Sequence, residues 1–333
     1  MRLIILLFFS PLLLIAQDIP TDIEATEVLF CQPGVTNASP SRGLVLEYGL
    51  RPGFTMGRIG AFEGQPDIQT KYWEDRVLKV KLPLVNRTDF KVIVGMNHTE
   101  ETYHFDEQEI AGDPFFESLN GQTLKSTRFT TYLVKSFDNR YYGLARVELG
   151  YNGDYDKFVR FDERYGMFRA AAMIGRKWNE DFEMGGGLLY TSTFRRTTVW
   201  PFAFANYTIN TKWGIEAVIP VDMKLRYDWT PKRLLLTGIN YFSREHSVDF
   251  VLGNDANTQN VFLRRHAIAP NITLQQQIFG EWTWIDIQAG YSFDLNTRLR
   301  SDDLTIDESI GTGSAPFVRV SFFVSPPRKV ICK

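Results

Sequence analysis

Hydrophobic and polar residues alternate with a period of two along most of the chain. In Gly43–Arg51, Leu44, Leu46, Tyr48 and Leu50 stand at every second position. The same alternation recurs over 77–85, 90–97, 143–151, 182–193, 213–222, 285–293 and 318–324. Side chains alternate between the two faces of a strand, so each run predicts a β-strand with one apolar face. No window of about 11 residues shows the spacing and caps of an amphipathic helix. The pattern predicts an all-β fold.

The length of these runs indicates a membrane protein. They extend over about 8 to 12 residues, whereas strands of soluble proteins average about 5–6. A strand crossing a bilayer at a tilt needs about 9–11 residues. After residue 16 no stretch approaches the ~18 apolar residues of a membrane helix, and a closed barrel is the other structure that can span a bilayer. A soluble secreted β-sandwich remains the alternative.

The connections between runs alternate in length. Short turns are predicted at 86–89, 138–140, 179–181, 210–212, 230–233 and 276–280, and long polar connections at 99–126, 152–164, 246–260 and 296–314. Two tight turns on the long side are expected at 194–198 and 220–224. Tight periplasmic turns and long outer loops are typical of outer-membrane barrels. We therefore predict a single antiparallel transmembrane β-barrel of about 14 strands over residues 43–325, with 12 to 16 strands as the range.

The two ends of the chain carry their own predictions. Residues 1–16 have a basic start and an apolar run and predict a signal peptide, with an uncleaved anchor as the alternative. Residues 17–42 are polar and predict a periplasmic extension or a plug, and 326–333 a periplasmic tail. Both ends would lie in the periplasm, so Cys31 and Cys332 could form a disulfide in that oxidising compartment. Two free thiols are the alternative.

Composition narrows the function classes. The chain has 37 Lys plus Arg against 39 Asp plus Glu, which is far from the basic balance of a nucleic-acid-binding protein. There are two cysteines and no CxxC pattern, so no zinc site is expected. Five tryptophans lie beside the predicted short turns, which is typical of an interfacial aromatic girdle; these are Trp178, Trp213, Trp229, Trp282 and Trp284.

The polar faces of the strands predict the lining of the barrel. A Lys or Arg facing lipid at mid-membrane costs about 2–4 kcal/mol, so charged faces should point inward. The basic residues of these faces are Arg51, Lys79, Lys81, Lys91, Arg146, Arg169, Lys224, Arg226, Arg265 and Arg319. The acidic ones are Glu47, Glu148, Glu183, Glu216, Asp222, Asp228 and Asp286. The basic excess predicts a weak anion preference, unless these charges pair across a narrow lumen and fill it.

Catalytic and metal-binding constellations are weak. His98 and His104 lie near carboxylates in a predicted outer loop, where solvated side chains are the favoured interpretation over a metal site. His246 and Ser247 are adjacent, so on a strand they would face opposite ways and could not act together. His266 lies on the apolar face of its strand and is interpreted as a rim residue. The triplet 185–187 is all glycine within a predicted strand, which indicates a bulge, a bend or a close approach. We expect no catalytic residues, no metal and no cofactor.

These features together resemble outer-membrane β-barrels of Gram-negative bacteria. The chain resembles in particular the uncharacterised porin-like outer-membrane barrels and, in its strand number, the monomeric 14-stranded porins. The resemblance is one of pattern over about 43–325, without a diagnostic motif. Such barrels usually end on an aromatic residue, whereas here Phe323 and Val324 are followed by a tail.

The resemblance implies a location in the cell outer membrane and a channel for passive or weakly selective passage of small hydrophilic solutes. Outer-membrane lipids and the barrel assembly machinery would be partners, and nucleic acid would not. The alternatives are a structural or surface-recognition barrel acting through its outer loops and, less favoured, a lipid hydrolase.

Overall fold

The structure is a computed structural model that describes residues 34–58, 64–194, 196–251, 258–301 and 306–326. Fourteen strands close an antiparallel barrel. The first seven are β1 Leu44–Pro52, β2 Ile68–Asn86, β3 Phe90–Phe105, β4 Thr123–Ser136, β5 Tyr141–Gly153, β6 Gly166–Lys177 and β7 Phe182–Thr193. The others are β8 Arg196–Thr208, β9 Trp213–Ile219, β10 Asp222–Thr230, β11 Arg233–Val251, β12 Thr258–Gln277, β13 Thr283–Ser301 and β14 Ala315–Val324. The signal peptide, Cys31 and Cys332 of the sequence prediction lie outside the described residues.

The barrel closes at β1, which pairs with β14 on one side and β2 on the other. Leu46 of β1 is opposite Phe322 and Leu78 in the two ladders. Two short strands, Thr55–Met56 and Asp307–Ile310, pair with β2 and β13 at the outer end. The prediction of a 14-stranded antiparallel barrel is confirmed. Within the described ranges, no helix is both long enough and apolar enough to cross a membrane.

The short connections lie where the sequence predicts them, but the long connections are wrong in part. β3 continues to residue 105, into the predicted loop 99–126. β11 continues to residue 251 and β12 begins at 258, so most of the predicted loop 246–260 is strand. β13 likewise runs to residue 301, into the predicted loop 296–314. Beyond the membrane these strands still pair with each other, but they no longer face lipid. Their outward positions therefore become polar and resemble a loop in sequence.

Strand length divides the wall into two parts. The strands β6 to β10 have 7 to 13 residues, whereas β2, β11, β12 and β13 have 19 or 20. Above the shorter strands, Ser247 of β11 pairs in parallel with Gly153 of β5. A Cβ on Gly153 would lie 2.5 Å from the Ser247 carbonyl oxygen, so the contact requires glycine. This contact joins two strands that are far apart in the barrel, and it narrows the outer end.

The outward surface is apolar, and four of the five predicted girdle tryptophans lie on it. Trp178, Trp213, Trp229 and Trp282 are exposed beside the short turns. The prediction that Trp284 belongs to the girdle is wrong, because this side chain is buried inside the barrel and stacks on Phe323 with ring centroids 6.1 Å apart. It alternates with Ile285 and shares the inward face of Asp286. Proximity to a turn therefore did not predict the position of the Trp284 side chain, because strand parity decides whether it points inward or outward.

An apolar cluster fills the outer end of the barrel. The segment between β3 and β4 forms two short helices, α1 Glu107–Ile110 and α2 Pro114–Leu119. Asp106 and Asp113 cap them by accepting backbone hydrogen bonds. Phe115, Phe116 and Leu119 of α2 are buried against Phe250 of β11 and other side chains of the barrel interior. The first outer loop therefore folds inward, which the sequence prediction of a solvated loop did not anticipate.

Candidate channel interior

The structure places the predicted lining residues on the inward face of the strands. Nine of them are buried, namely Arg51, Lys91, Arg146, Glu148, Arg169, Glu183, Glu216, Arg226 and Asp286. The other eight are half-buried, namely Glu47, Lys79, Lys81, Asp222, Lys224, Asp228, Arg265 and Arg319. Each alternates with more exposed, outward side chains, as strand geometry requires. Their role in lining a solute path stays a prediction.

A central charged network crosses the lumen around Asp75 of β2. Its Oδ2 accepts a hydrogen bond from Arg244 of β11 at 3.0 Å and from Arg319 of β14 at 3.2 Å. Arg244 also contacts Glu101 of β3, and Arg319 lies 3.2 Å from Glu47 of β1. The Asp75 carboxylate is fully buried, and these charges can remain buried because they are paired.

Glycine makes room for this network. Gly49 lies on β1, between the strands of Asp75 and Arg319, and a Cβ at this position would overlap Oδ1 of Asp75. Arg319 Nε would lie 3.2 Å from the same Cβ. The carboxylate therefore occupies the space that a side chain of β1 would take, and it can reach guanidinium groups from both sides.

A second ion-pair group lies toward the outer end. Asp294 of β13 accepts hydrogen bonds from Arg51 of β1 at 2.7 Å and from Arg265 of β12 at 2.9 Å. Arg51 also donates to the carbonyl of Gly313 and stacks over Phe54 at 4.0 Å. Nε and Nη1 of Arg51 are buried and have no hydrogen-bond partner among the described residues.

The two groups enclose a small space that we call the arginine cavity. Its volume is about 40 Å³. It is lined by four arginines and three large aromatic side chains: Arg51, Arg244, Arg265, Arg319, Trp73, Phe242 and Phe317. A second cavity of about 160 Å³ shares Phe242, Arg244 and Arg319 with it and extends along Lys79 and Arg128. The arginine cavity combines guanidinium groups with apolar rings, whereas the second cavity is lined mainly by polar and charged side chains, among them Glu47, Glu101 and Glu245, with Phe242 as its apolar ring.

Charges on the other side of the barrel form local groups. Glu148 of β5 accepts hydrogen bonds from Arg146 and, at 3.0 Å, from Arg169 of β6. Glu216 of β9 is 3.0 Å from Arg226 of β10. An apolar cluster surrounds them, with Val134, Tyr142, Leu144, Ala171, Met173, Leu189, Phe202, Phe204, Val218 and Val221 as its buried members.

Residues 34–42 cross the periplasmic end of the barrel. The amide of Gly34 donates to Glu183 at 2.6 Å, and Ser39 donates to Glu216 through its amide at 2.9 Å. Arg42 pairs with Asp286. The segment thus joins β7, β9 and β13, and it uses three carboxylates of the predicted lining. The wider prediction of an extension or plug over 17–42 falls largely outside the described residues.

Two of the histidines lie on β3, and each stacks on an aromatic ring. His98 lies in β3, where Nδ1 is 2.7 Å from the Thr127 hydroxyl and the ring stacks on Phe158 at 4.0 Å. His104 stacks on Tyr72 at 4.2 Å. Over the described ranges, no three His, Cys, Asp or Glu residues are grouped so that they could hold a metal ion.

The adjacent His246 and Ser247 are not paired with each other. His246 Nε2 lies 3.9 Å from Glu101, whereas Ser247 Oγ shares a hydrogen bond with Asn260 at 3.1 Å. At the glycine triplet 185–187, neighbouring strands and side chains approach closely, as expected from the sequence. Cε1 of Phe204 would lie 2.5 Å from a Cβ on Gly185.

Sequence reasoning missed several members of the networks. Arg244, Glu101 and Asp294 lie in or beside segments interpreted as outer loops, and Asp75 precedes the run at 77–85. On their own strands, Asp75 has the parity of Lys79, Glu101 that of Lys91 and Asp294 that of Asp286. These three reference residues were assigned to the lumen. Extending the alternation past the apolar stretch would have found Asp75, Glu101 and Asp294.

Comparisons with known proteins give one family match in sequence and several similar solved structures. A model of the family described as "Domain of unknown function (DUF6268)" matches residues 78–304. No curated protein matches the chain in sequence. An outer membrane channel from Pseudomonas putida F1 is 11% identical, with a TM-score of 0.43 over 90% of this chain and 100% of that one.

Two further solved structures are similar at the same low level. A Pseudomonas aeruginosa FadL homologue is 10% identical, with a TM-score of 0.42 over 84% of this chain and 89% of that one. The Pseudomonas putida toluene transporter TodX is 8% identical, with a TM-score of 0.38 over 86% and 90%. At these scores the similarities support no conclusion about substrate.

Proposed function

The chain belongs to the DUF6268 family, and we propose that its barrel is a narrow outer-membrane channel for small hydrophilic solutes that prefers organic anions. The supporting observation is the arginine cavity. Nε and Nη1 of Arg51 are buried, have no hydrogen-bond partner among the described residues and lie beside three other guanidinium groups. A guanidinium group donates up to five hydrogen bonds in a planar arrangement that matches a carboxylate.

The size and lining of the cavities narrow the class of solute. A space of about 40 Å³ accommodates a carboxylate but not the body of an organic acid. The neighbouring cavity of about 160 Å³ provides room for that body beside Phe242. We therefore propose small aliphatic or aromatic carboxylates, bound by arginine at one end and packed against the Phe242 ring at the other. Passage would be passive, since weak fixed sites bind a solute and release it down its gradient.

Passage requires movement at the ends of the lumen. Residues 34–42 cross the periplasmic end, and α2 packs into the outer end. We propose that the periplasmic segment shifts, because it is held by a few hydrogen bonds and by the Arg42–Asp286 ion pair. The outer cluster buries several aromatic side chains, so it opens at greater cost.

Reconstitution tests the proposal. In planar bilayers under a KCl gradient, we expect discrete current steps and a reversal potential that favours chloride. In liposome swelling, sodium benzoate should enter faster than its neutral analogue benzamide. Double substitution of Arg51→Gln and Arg265→Gln should abolish both preferences. The matched control is Arg176→Gln with Arg233→Gln, because these arginines stack on outward aromatic rings. Equal entry of benzoate and benzamide into wild-type liposomes would overturn the anion preference.

A second function is favoured by the filling of both ends. The apolar cluster around α2 and the segment 34–42 together support a barrel with a structural or surface-recognition role. This alternative predicts a folded barrel, recognised by heat-dependent gel migration, that gives no current steps and no solute-dependent swelling.

A further inference from the structure

Four arginines lie together at the outer end of the barrel, away from the arginine cavity. They are Arg196 of β8, Arg264 of β12, and Arg298 and Arg300 of β13. They line a cavity of about 280 Å³ whose other walls include Tyr241, Phe262 and Leu295. We call this group the outer arginine patch.

The part of the patch on β12 and β13 faces outward. Leu263 and Leu299 are buried in the apolar cluster inside the outer end. Arg264 follows Leu263, and Arg298 and Arg300 flank Leu299, so these three side chains lie on the opposite face of the sheet. They therefore belong to the outer surface and not to the lumen. Phe262 shares this outward face and stacks on Phe194, at the end of β7, at 4.8 Å.

The patch begins where the apolar wall of the barrel ends. Along β13 the exposed outward residues are Ile287, Tyr291, Phe293 and Leu295, and all of them are apolar or aromatic. The next outward side chains are polar and belong to Asn296, Arg298 and Arg300. In an outer-membrane barrel, the edge of the apolar band marks the level of the lipid headgroups. The arginines thus lie at headgroup height, directly above side chains that contact acyl chains.

Among the described residues, guanidinium groups outnumber the carboxylates paired with them in the patch. Glu245 pairs with Arg264, and Asp307 lies 3.8 Å from Arg298. Within the described residues these are two carboxylates against four guanidinium groups. Nε of Arg264 is buried without a hydrogen-bond partner in the same part of the chain. The Arg298 side chain is about half exposed, so an external ligand can reach the cavity.

We propose that the outer arginine patch binds the phosphate groups of a glycolipid in the outer leaflet. Arginine binds phosphate through paired, charge-assisted hydrogen bonds, and clusters of basic residues at a membrane surface recognise anionic headgroups. Phe262 and Leu295 provide the apolar surface on which the acyl chains of the same molecule pack. The inference does not depend on solute transport, because the patch and the lumen lie on opposite faces of the wall.

Lipid retention measures this binding directly. The purified full-length barrel is incubated with a bisphosphorylated lipid A-type glycolipid, with its enzymatically dephosphorylated form, or with inorganic phosphate, and bound lipid is counted by native mass spectrometry. We expect at least tenfold tighter retention of the phosphorylated glycolipid than of the dephosphorylated form. We also expect millimolar inorganic phosphate not to displace it, because phosphate lacks the acyl chains. Equal retention of the two glycolipids would overturn the proposal, and displacement by phosphate would show a small-anion site instead.

Matched variants locate the site. Arg298→Gln with Arg300→Gln should reduce retention of the phosphorylated glycolipid about tenfold and leave the dephosphorylated form unchanged. The control is Arg176→Gln with Arg233→Gln, which removes the same charge at the opposite rim. An equal loss of glycolipid retention in both variants would show that retention depends on the overall charge of the barrel, and it would refute a local site. The wild-type comparison of the two lipids decides the question even if a variant fails to fold.

Discussion

The two halves of the barrel fill the lumen in different ways. In the half made by β11 to β14 and β1 to β4, an apolar cluster fills the outer end, and below it charges connect across several strands, as Asp75 does between Arg244 and Arg319. In the half made by β5 to β10, ionic groups stay between neighbouring strands and an apolar cluster occupies the remaining space. The first half resembles a binding site, and the second resembles the core of a soluble protein.

This difference suggests separate roles for the two halves in the proposed channel, since the charged half offers a polar path and the apolar half gives rigidity. Buried charges contribute little net stability, because desolvation offsets their attraction, but their loss is costly when a partner remains. Apolar packing stabilises without offering a polar path. A solute that follows the lumen would therefore keep to the charged half, and the apolar half would hold the barrel in shape.

The largest expected effect comes from removing the shared carboxylate of the charged half. Asp75→Asn leaves Arg244 and Arg319 without their common counter-charge, and we expect a loss of about 3–5 kcal/mol in the free energy of unfolding. Denaturant titration of the barrel in lipid, followed by tryptophan fluorescence, measures it. Asp89→Asn is the control, since its pair with Lys135 is exposed to solvent and should contribute little to stability. Equal losses in the two variants would remove the distinction between the halves.

Truncating a side chain in the apolar half should lower the free energy of unfolding by a similar or slightly smaller amount. It should leave ion preference unchanged. Phe204 is buried beside Tyr142, and Phe204→Ala should cost about 3 kcal/mol through lost burial and a cavity. We expect the reversal potential in a KCl gradient to stay unchanged. Phe161→Ala serves as the reference, because that ring is 71% exposed. A shifted reversal potential in Phe204→Ala would show that the apolar half also controls permeation.

Glycine substitutions compare close packing in the two halves. Gly49→Ala would press on Asp75, and Gly187→Ala on the Ala172 carbonyl oxygen. Each should destabilise by about 1–3 kcal/mol because overpacking forces the backbone to shift. Gly311→Ala is the control, since nothing lies within 4 Å of its Cβ position. Only Gly49→Ala should also alter ion preference, and single-channel recording separates the two variants.

The smallest effect concerns a periplasmic turn. Hydrogen bonds from the Tyr141 and Arg140 amides lower the pKa of Asp138 below its ordinary value of 3.8. The stabilisation is present above that ordinary value and is lost as pH falls through the lower pKa of the folded state. We expect Asp138→Asn to lower stability slightly at pH 7, where the carboxylate is ionised, and to have less effect at pH 3, where it is largely protonated, so that this part of the pH dependence disappears. Unfolding measured at pH 3, 4 and 7 checks it, and an unchanged pH profile would contradict the assignment.

Strand alternation predicted the barrel because lipid imposes a strict pattern on its outer wall. The run at 285–293 shows this, since Ile287 and Tyr291 face outward and Asp286 faces inward as expected. The pattern failed at the outer end, where Arg244 and Glu101 lie in strands that no longer touch lipid. The polar outward positions there removed the signal, although the pairing continued.

The sequence pattern could not predict which charged residues pair with each other, for a different reason. Parity predicts that Arg319 faces inward, but not that it meets Asp75 across β1. That meeting depends on Gly49, whose missing side chain makes the space, and on the order in which the strands close. Such contacts join residues far apart in the chain, so a local pattern does not contain them.

The segment 34–42 has a consequence for the order of assembly. Its anchors, Glu183, Glu216 and Asp286, come from strands formed by much later parts of the chain. Gly34 meets a residue 149 positions away, and Arg42 one that is 244 positions away. Contacts with such separations form after the local hairpins. The beginning of the described chain is therefore expected to dock last, and its docking would report that the remainder of the wall is already complete.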